Sequence, residues 1–493
     1  MSLSPEPSDL RAPVTESFSG RARSGTQWIV AGFGLGQILR LGANVVLAAI
    51  LFEEVFALMA IVSAVMFGLA MFSDIGLKTN VVQHPRGDDP DFLNTAWTLQ
   101  VIRGVCLFLM AVVLAWPLSR LYGANDPKAY ELLYLIPIVA MTSLITGFES
   151  AKMMTAARHL KIKEVTKIEF VVGLFGTALM LLMAWYMRSV YALAIASVLS
   201  SVLQVILSYR MLEGPRSRFR WDTDSIRAIF SFGKWVLLST FFTFLALQID
   251  RLTLGGMFPL AQVGVYSIAA SLAVVVPAVV GRLQWNVLFP WYSRMLEQGM
   301  PLSVAFDRTR IAMMVFSSFF CALLIGGAAS FFDLAYDDRY AMGGVLLPVL
   351  ALGAWFGCLE PMYGATFVAS GRPQWTAISS ASKVAAFALL FVLLSLFDLD
   401  IVAATAFVSV SEVLRWLVCH RLGRRLGLRN SRSELGMLVI FLTVSLASWW
   451  LAERAPIISE FSPIWRLVVL GIVITLLFTP LFLRFVLPLV RQR

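Results

Sequence analysis

Asp250 and Arg251 stand side by side in the apolar stretch Gln248–Pro290, QIDRLTLGGMFPLAQVGVYSIAASLAVVVPAVVGRLQWNVLFP. A charge at the centre of a bilayer costs about 2.5–3.5 kcal/mol on insertion scales, so such side chains face a protein interior or a watery cavity and mark pathways for polar cargo. Adjacent residues of a helix do not face each other. Each of the two therefore either lines a cavity or is spent locally, Arg251 by reaching the outer interface and Asp250 by a helix contact. Gln37, Arg40 and Asn44, spaced i, i+3, i+7, share one face of a first apolar span. They either line a cavity in which Arg40 meets an anionic group or make polar contacts between helices. Arg suits phosphate because its planar fork engages two oxygens at once.

Glu149 and Glu360 end apolar runs in the two halves of the chain and suit either a gate or ion coupling, or else pairing with basic loops. Asp74, Lys78 and Arg103 carry the same two readings. Lys383 and the run Arg282-Leu283-Gln284 are weaker candidates. No cofactor is expected. The carboxylates Asp74, Glu149, Asp250 and Glu360 are the groups from which coupling to protons or sodium would have to come.

The elements that position these residues are helices in a membrane. Of the 493 residues, 59% are apolar and 14% charged, and the apolar residues run continuously for the roughly 20 positions a spanning helix needs. A β-barrel would alternate over short segments instead. Fourteen candidate spans follow Trp28, and an N-terminal tail, residues 1–25, is rich in Ser, Pro and charge and is expected to be disordered and cytoplasmic. The net charge of +10 sits between the spans, which speaks for membrane orientation and against nucleic acid. With the tail inside, 29 of the 40 Lys and Arg residues fall in inner segments and seven in outer loops, so both termini are expected in the cytoplasm. The outer loops are too short for a folded catalytic domain. Residues 211–234 form the longest inner connection, and an interfacial helix capped by Asp222 or Asp224 is expected in it.

A shift of 207 residues pairs Trp28 with Trp235 and Arg103 with Arg310, and after a four-residue slip Glu149 meets Glu360. Six spans separate the copies, so the repeat is parallel. The expected fold is all-α and integral to the membrane, with about 14 helices: an N-lobe over 26–210, the linker 211–234, a C-lobe over 235–420, and two further helices within 421–493. Pro117, Pro137, Pro277 and Pro348 are expected to mark kinks.

Several patterns are set aside. Cys106, Cys321, Cys358 and Cys419 lie in apolar runs and read as buried thiols, without a disulfide or zinc site. His84, His159 and His420 are scattered. Asp222-Thr223-Asp224, Asp337-Asp338 and Asp398-Leu399-Asp400 fall in short connections without further ligands, and no phosphate-binding loop of the Walker type is present.

Phe72-Ser73-Asp74-Ile75-Gly76-Leu77, Val81-Val82-Gln83, Gln248-Ile249-Asp250-Arg251-Leu252, Gly264-Val265-Tyr266-Ser267-Ile268-Ala269, Val287-Leu288-Phe289-Pro290 and Gly371-Arg372-Pro373 carry a resemblance. Over about Trp28–His420 the chain resembles the polysaccharide transporter or oligosaccharide flippase family, of the superfamily that also holds multidrug extruders and peptidoglycan precursor flippases. One departure is Leu51–Phe56, where the family usually has a link containing Pro or Gly.

The resemblance implies two six-helix lobes around a cavity with alternating access. It implies transport, without catalysis, of an isoprenoid-diphosphate-linked oligosaccharide across a bacterial cytoplasmic membrane for exopolysaccharide, capsule or O-antigen synthesis. Membrane lipids, a polysaccharide polymerase and export proteins would be its partners, and Arg40 and Arg251 would meet the phosphates. The alternatives are a drug or cation antiporter, which needs acidic cavity residues to dominate, and a membrane-embedded polymerase or glycosyltransferase, which needs a large outer loop bearing acids. An assembly scaffold is a further alternative.

Overall fold

The computed structural model describes residues 34–487 apart from 74–76, 78–80, 82–83, 85, 160–161, 215–216, 300–301, 398, 429–430 and 455–460. Asp74 therefore lies outside the described residues. Among those described there is no strand. The first helices are α1 (Gly34–Ile50), α2 (Glu53–Phe72), α3 (Pro90–Gly123), α4 (Leu132–Gly147), α5 (Lys152–Arg158), α6 (Ile162–Met187) and α7 (Val190–Arg210). After α8 (Thr223–Leu254) come α9 (Leu260–Ala273), α10 (Val275–Leu283), α11 (Phe289–Glu297) and α12 (Leu302–Ala335). The last are α13 (Gly343–Gly357), α14 (Leu359–Ala369), α15 (Gln374–Phe397), α16 (Ile401–Arg424), α17 (Ser431–Glu453) and α18 (Pro463–Leu481). Among the described residues twelve helices are long and apolar enough to cross a membrane, counting α9 with α10 and α13 with α14 as one each. The chain is a multi-pass membrane protein.

One of the four expected kinks, at Pro277, follows a pattern that a further proline, Pro361, shares. Helix α9 stops at Val274 and α10 resumes, three residues before Pro277; α13 stops at Cys358 and α14 resumes, three residues before Pro361. Proline offers no N–H to the carbonyl four residues back, so the ladder loses a bond just there. Pro117, Pro137 and Pro348 sit within helices that continue through them. A wider turn follows α10, where Gln284–Leu288 is π-helical.

The chain divides into two compact units, one drawn from Met1–Asn44, Phe72–Pro117 and Leu133–Leu237 and the other from Val45–Met71, Leu118–Leu132 and Leu238–Arg493. In the first, α3 closes the end of α4. Trp97 Nε1 donates to the Glu149 carbonyl at 3.0 Å, and Gln100 Nε2 donates to the carbonyls of Thr146, Gly147 and Glu149 at 3.1–3.2 Å. A helix end leaves such carbonyls unpaired, and in a membrane protein side chains must take over from water. The approach is close because Gly104 lies against Gly147 and the Ser143 carbonyl, where a Cβ would come within 2.6 Å of that oxygen.

In the second unit α12 is the central helix, packed by α13, α17 and α18. Trp355 of α13 donates to Ser318 Oγ of α12 at 2.8 Å and stacks on Phe441 of α17 with centroids 5.0 Å apart. Cys321, Cys358 and Cys419 are buried free thiols in this unit; Cys106 corrects the expectation, being exposed on the outward side of α3.

The helix expected in the 211–234 connection starts at one of its two expected caps, Asp222. Residues 217–222 form neither helix nor strand, and α8 starts at Thr223, where Asp222 accepts from the Ser225 N–H at 3.3 Å and from its hydroxyl. Two of the other aspartates set aside as ligands serve as caps as well. Asp337 accepts from the Arg339 N–H at 3.1 Å and Asp400 from that of Ala403 at 2.9 Å.

Candidate functional site

At one end of the second unit four connections meet. Tyr122 donates to the Leu252 carbonyl at 2.8 Å, Asn125 Nδ2 donates to the Gly256 carbonyl, and Asp126 Oδ2 accepts from the Leu260 N–H at 3.2 Å. Lys128 Nζ lies 2.6 Å from Glu54, and Arg339 lies 3.7 Å from Glu53 and 2.5 Å from Asp337. Tyr340 donates to the Leu51 carbonyl at 3.3 Å. The link that departs from the family's Pro/Gly pattern is thereby accounted for. Leu51 bends the chain, α2 starts at Glu53, and the backbone of Glu53 rests on Gly264, where no Cβ fits. The turn is held by what packs on it instead of by its own residue types.

Asp250 and Arg251 do not pair. Asp250 Oδ2 accepts a 2.5 Å bond from Tyr266 of α9, a fully buried side chain, while Arg251 Nη1 donates to Gln248 at 3.4 Å one turn back. This joins two parts of the quoted motif, Gln248–Leu252 and Gly264–Ala269, across the hairpin between α8 and α9. On α1, Gln37 and Asn44 are half-buried and Arg40 is exposed. Arg103 donates to Ser73 Oγ at 2.8 Å.

The two glutamates follow the helix breaks. Glu149 comes just after α4 and accepts from Gln204 of α7 at 2.8 Å. Glu360 opens α14, half-buried, close enough to Arg415 of α16 to act on it electrostatically. Glu360 and Arg415 have the same separation along the chain, 55 residues, as Glu149 and Gln204.

Sequence reasoning missed most of the charge inside the second unit. Glu412 bridges Lys383 Nζ at 2.7 Å and Arg415 Nη2 at 2.5 Å, with all three side chains at least 86% buried. Glu412 and Arg415 are one helical turn apart, and Lys383 reaches them from α15. A second cluster surrounds Glu434 in the first turn of α17, where the helix dipole favours a negative charge. Arg310 Nη1 lies 2.8 Å from Glu434, the Tyr363 hydroxyl donates to it at 2.5 Å, and His420 Nδ1 lies 2.9 Å away. Arg310 also pairs with Asp307 at 3.0 Å. The signal in the sequence was the acid-and-base spacing Glu412–Arg415 within an apolar run, which placing Arg415 at the start of an inner loop obscured. The Gln284 side chain is buried in the π-helical turn, and its amide nitrogen and oxygen have no hydrogen-bond partner among the described residues.

A third polar group lies in the first unit, outside the spanning helices. Asp88 meets Arg158 Nε and His159 Nε2, each at 2.8 Å, and Asp89 meets Arg86 at 2.7 Å. Desolvation works against the Asp88 carboxylate, but hydrogen bonds from Arg158 and His159 outweigh it and hold the carboxyl below its usual range. A carboxyl depressed in the folded state adds stability above its ordinary value and loses it as pH falls through the depressed one. Unfolding measured from neutral to acid pH is therefore expected to show an acid-side decline that Asp88→Asn flattens. An unchanged decline would remove this group from the account.

A family profile described as polysaccharide biosynthesis protein matches residues 46–341. The teichuronic acid biosynthesis protein TuaB of Bacillus subtilis (strain 168) is 22% identical over 304 residues, 61% of this chain and 61% of its own length. The chain thus spans about three fifths of that relative. The lipopolysaccharide biosynthesis protein WzxC of Escherichia coli (strain K12) is 22% identical over 353 residues, 68% of this chain and 67% of its own. Among solved structures, the lipid II flippase MurJ in an inward closed conformation superposes with a TM-score of 0.67 at 12% identity, covering 92% of this chain and 98% of its own. An inward-facing multidrug resistance MATE family transporter of the MOP superfamily gives 0.64 at 14%, covering 80% and 96%. At these identities the likeness is one of fold.

Proposed function

The chain belongs to the polysaccharide biosynthesis protein family, and from that premise we propose that it is a flippase for a polyprenyl-diphosphate-linked oligosaccharide. It moves this precursor from the cytoplasmic to the outer leaflet of a bacterial cytoplasmic membrane by alternating access, with both termini cytoplasmic. The observation that carries the reading is the seam joining the connections at 51–54, 122–128, 252–260 and 337–340, which this topology places outside. Alternating access needs one end held shut by contacts that can be exchanged. Hydrogen bonds to backbone carbonyls and surface ion pairs are of that kind, each adding a net ~1 kcal/mol or less.

The cargo carries a diphosphate, and Arg40, exposed on α1 between Gln37 and Asn44, is the group assigned to meet it. Coupling to protons or sodium falls to Asp250, Glu149 and Glu360. A polymerase and export proteins would receive the product.

The test is the leaflet distribution of lipid-linked oligosaccharide in cells depleted of the protein, with drug sensitivity scored in parallel. Accumulation on the cytoplasmic side with loss of surface polysaccharide is expected. A normal distribution with heightened sensitivity to cationic drugs would make the protein an antiporter. Arg40→Ala is expected to lower the flipping rate at least tenfold, one charge-assisted contact of about 1.5–3 kcal/mol, while Arg40→Lys retains part of it. Normal flipping by Arg40→Ala would free Arg40 from this role.

A further inference from the structure

The connection between α7 and α8 does more than join them. Its residues 217–222 form neither helix nor strand and lie along the first turns of α3, and backbone amides at alternate positions hold them there. Arg218 N–H donates to Asn94 Oδ1 at 2.8 Å, Arg220 N–H to Thr98 Oγ1 at 3.0 Å, and Asp222 N–H to Thr95 Oγ1 at 3.3 Å. Side chains reinforce the attachment: Arg220 Nε lies 3.1 Å from Asp91, and Asp222 lies 3.5 Å from Arg86. Phe219 and Trp221 are turned outward, 67% and 60% exposed. Phe219 touches the ring of Trp97 with centroids 4.9 Å apart. The Arg218 side chain is exposed and has no ion pair or hydrogen bond among the described residues.

We propose that Arg218–Trp221 is a membrane-surface strap: Phe219 and Trp221 enter the lipid interface, and Arg218 binds the phosphate of an anionic phospholipid headgroup. The segment has only one level at which to lie. It follows one spanning helix, α7, and rests on the first three turns of another, α3, so it sits where apolar chain meets water. Trp and Phe with most of their surface exposed are at a disadvantage in water, and Trp is at home among headgroups. A guanidinium beside them, with its donors unspent, matches a phosphate oxygen pair. Because the backbone is already fixed to α3, binding a headgroup orders little that is not ordered before. The inference depends neither on the transported cargo nor on which leaflet the strap faces.

Two measurements on the full chain test it. A nitroxide at 221, introduced as Trp221→Cys in a Cys106→Ala background, is expected at headgroup depth by oxygen and nickel accessibility in phosphatidylcholine discs. A label read as fully aqueous overturns the strap. Native mass spectrometry after exchange into phosphatidylcholine with added phosphatidylglycerol is expected to show Arg218→Gln retaining about fivefold less phosphatidylglycerol, the loss of one basic residue at a surface, and Arg218→Lys losing less. Equal retention by Arg218→Gln overturns the phosphate contact even if the aromatic depth holds. Displacement of the lipid by inorganic phosphate would make this a free-anion site and overturn the surface reading.

Discussion

Glu412→Ala is expected to destabilise the protein by about 3–5 kcal/mol, the cost of breaking a buried pair from one side. The carboxylate holds two buried cations, Lys383 at 2.7 Å and Arg415 at 2.5 Å. Removing it leaves both buried, with Glu360 the remaining negative group acting on Arg415. Lys383→Met combined with Glu412→Leu deletes one charge of each sign and leaves Arg415 with Glu360, so it is expected to recover most of the loss. Thermal and denaturant unfolding of the purified protein checks both. A single variant within 1 kcal/mol of the parent, or a double variant worse than the single, would show that the triad is solvated and does not hold the second unit together.

Gly264→Val is expected to part the seam while the rest of the unit stays folded. A Cβ at 264 would stand 2.6 Å from the carbonyl carbon of Glu53 and closer still to its oxygen, and neither is the movable end of a side chain. Overpacking costs about 1–3 kcal/mol and occasionally more. The displaced Glu53 segment carries Leu51, whose carbonyl receives Tyr340, and Glu54, which pairs with Lys128. Leu51→Cys in the Cys106→Ala background is buried in the parent and is expected to label with an impermeant maleimide once Gly264→Val is added. Surface polysaccharide is expected to fall with it, and Gly264→Ala to have a smaller effect of the same sign. Unchanged labelling and unchanged polysaccharide would mean that the seam yields without opening.

The candidate residues divide by the kind of signal they gave. Asp250 announced itself as a charge in an apolar run, and its partner, Tyr266, lies in the next block of the same motif, so the contact was nearly legible. Glu149 was placed at a helix end, but its acceptance of Gln204 was not foreseeable, because a glutamine in an apolar helix carries no formal charge to notice. Arg310 and Arg415 were counted among the inner basic loops. In the structure both are nearly or fully buried, within helices that extend beyond their apolar runs. The Lys-Glu-Arg and Arg-Glu-His-Tyr clusters depend on which helices are neighbours, and neighbours bring together residues up to 124 positions apart.

By itself the sequence determined that this protein is helical and crosses a membrane many times, because continuous apolar runs of spanning length admit no other solution in a solvent without hydrogen bonds. It also determined the family, through short polar motifs that packing alone does not require. Only the tertiary structure decided which charges neutralise one another, which backbone carbonyls receive Trp97, Gln100, Tyr122 and Tyr340, and where a link without Pro or Gly is held in its turn. The physical reason is that hydrophobicity is a property of each segment alone. The partner of a buried charge is a property of two helices and of the rotation at which they meet.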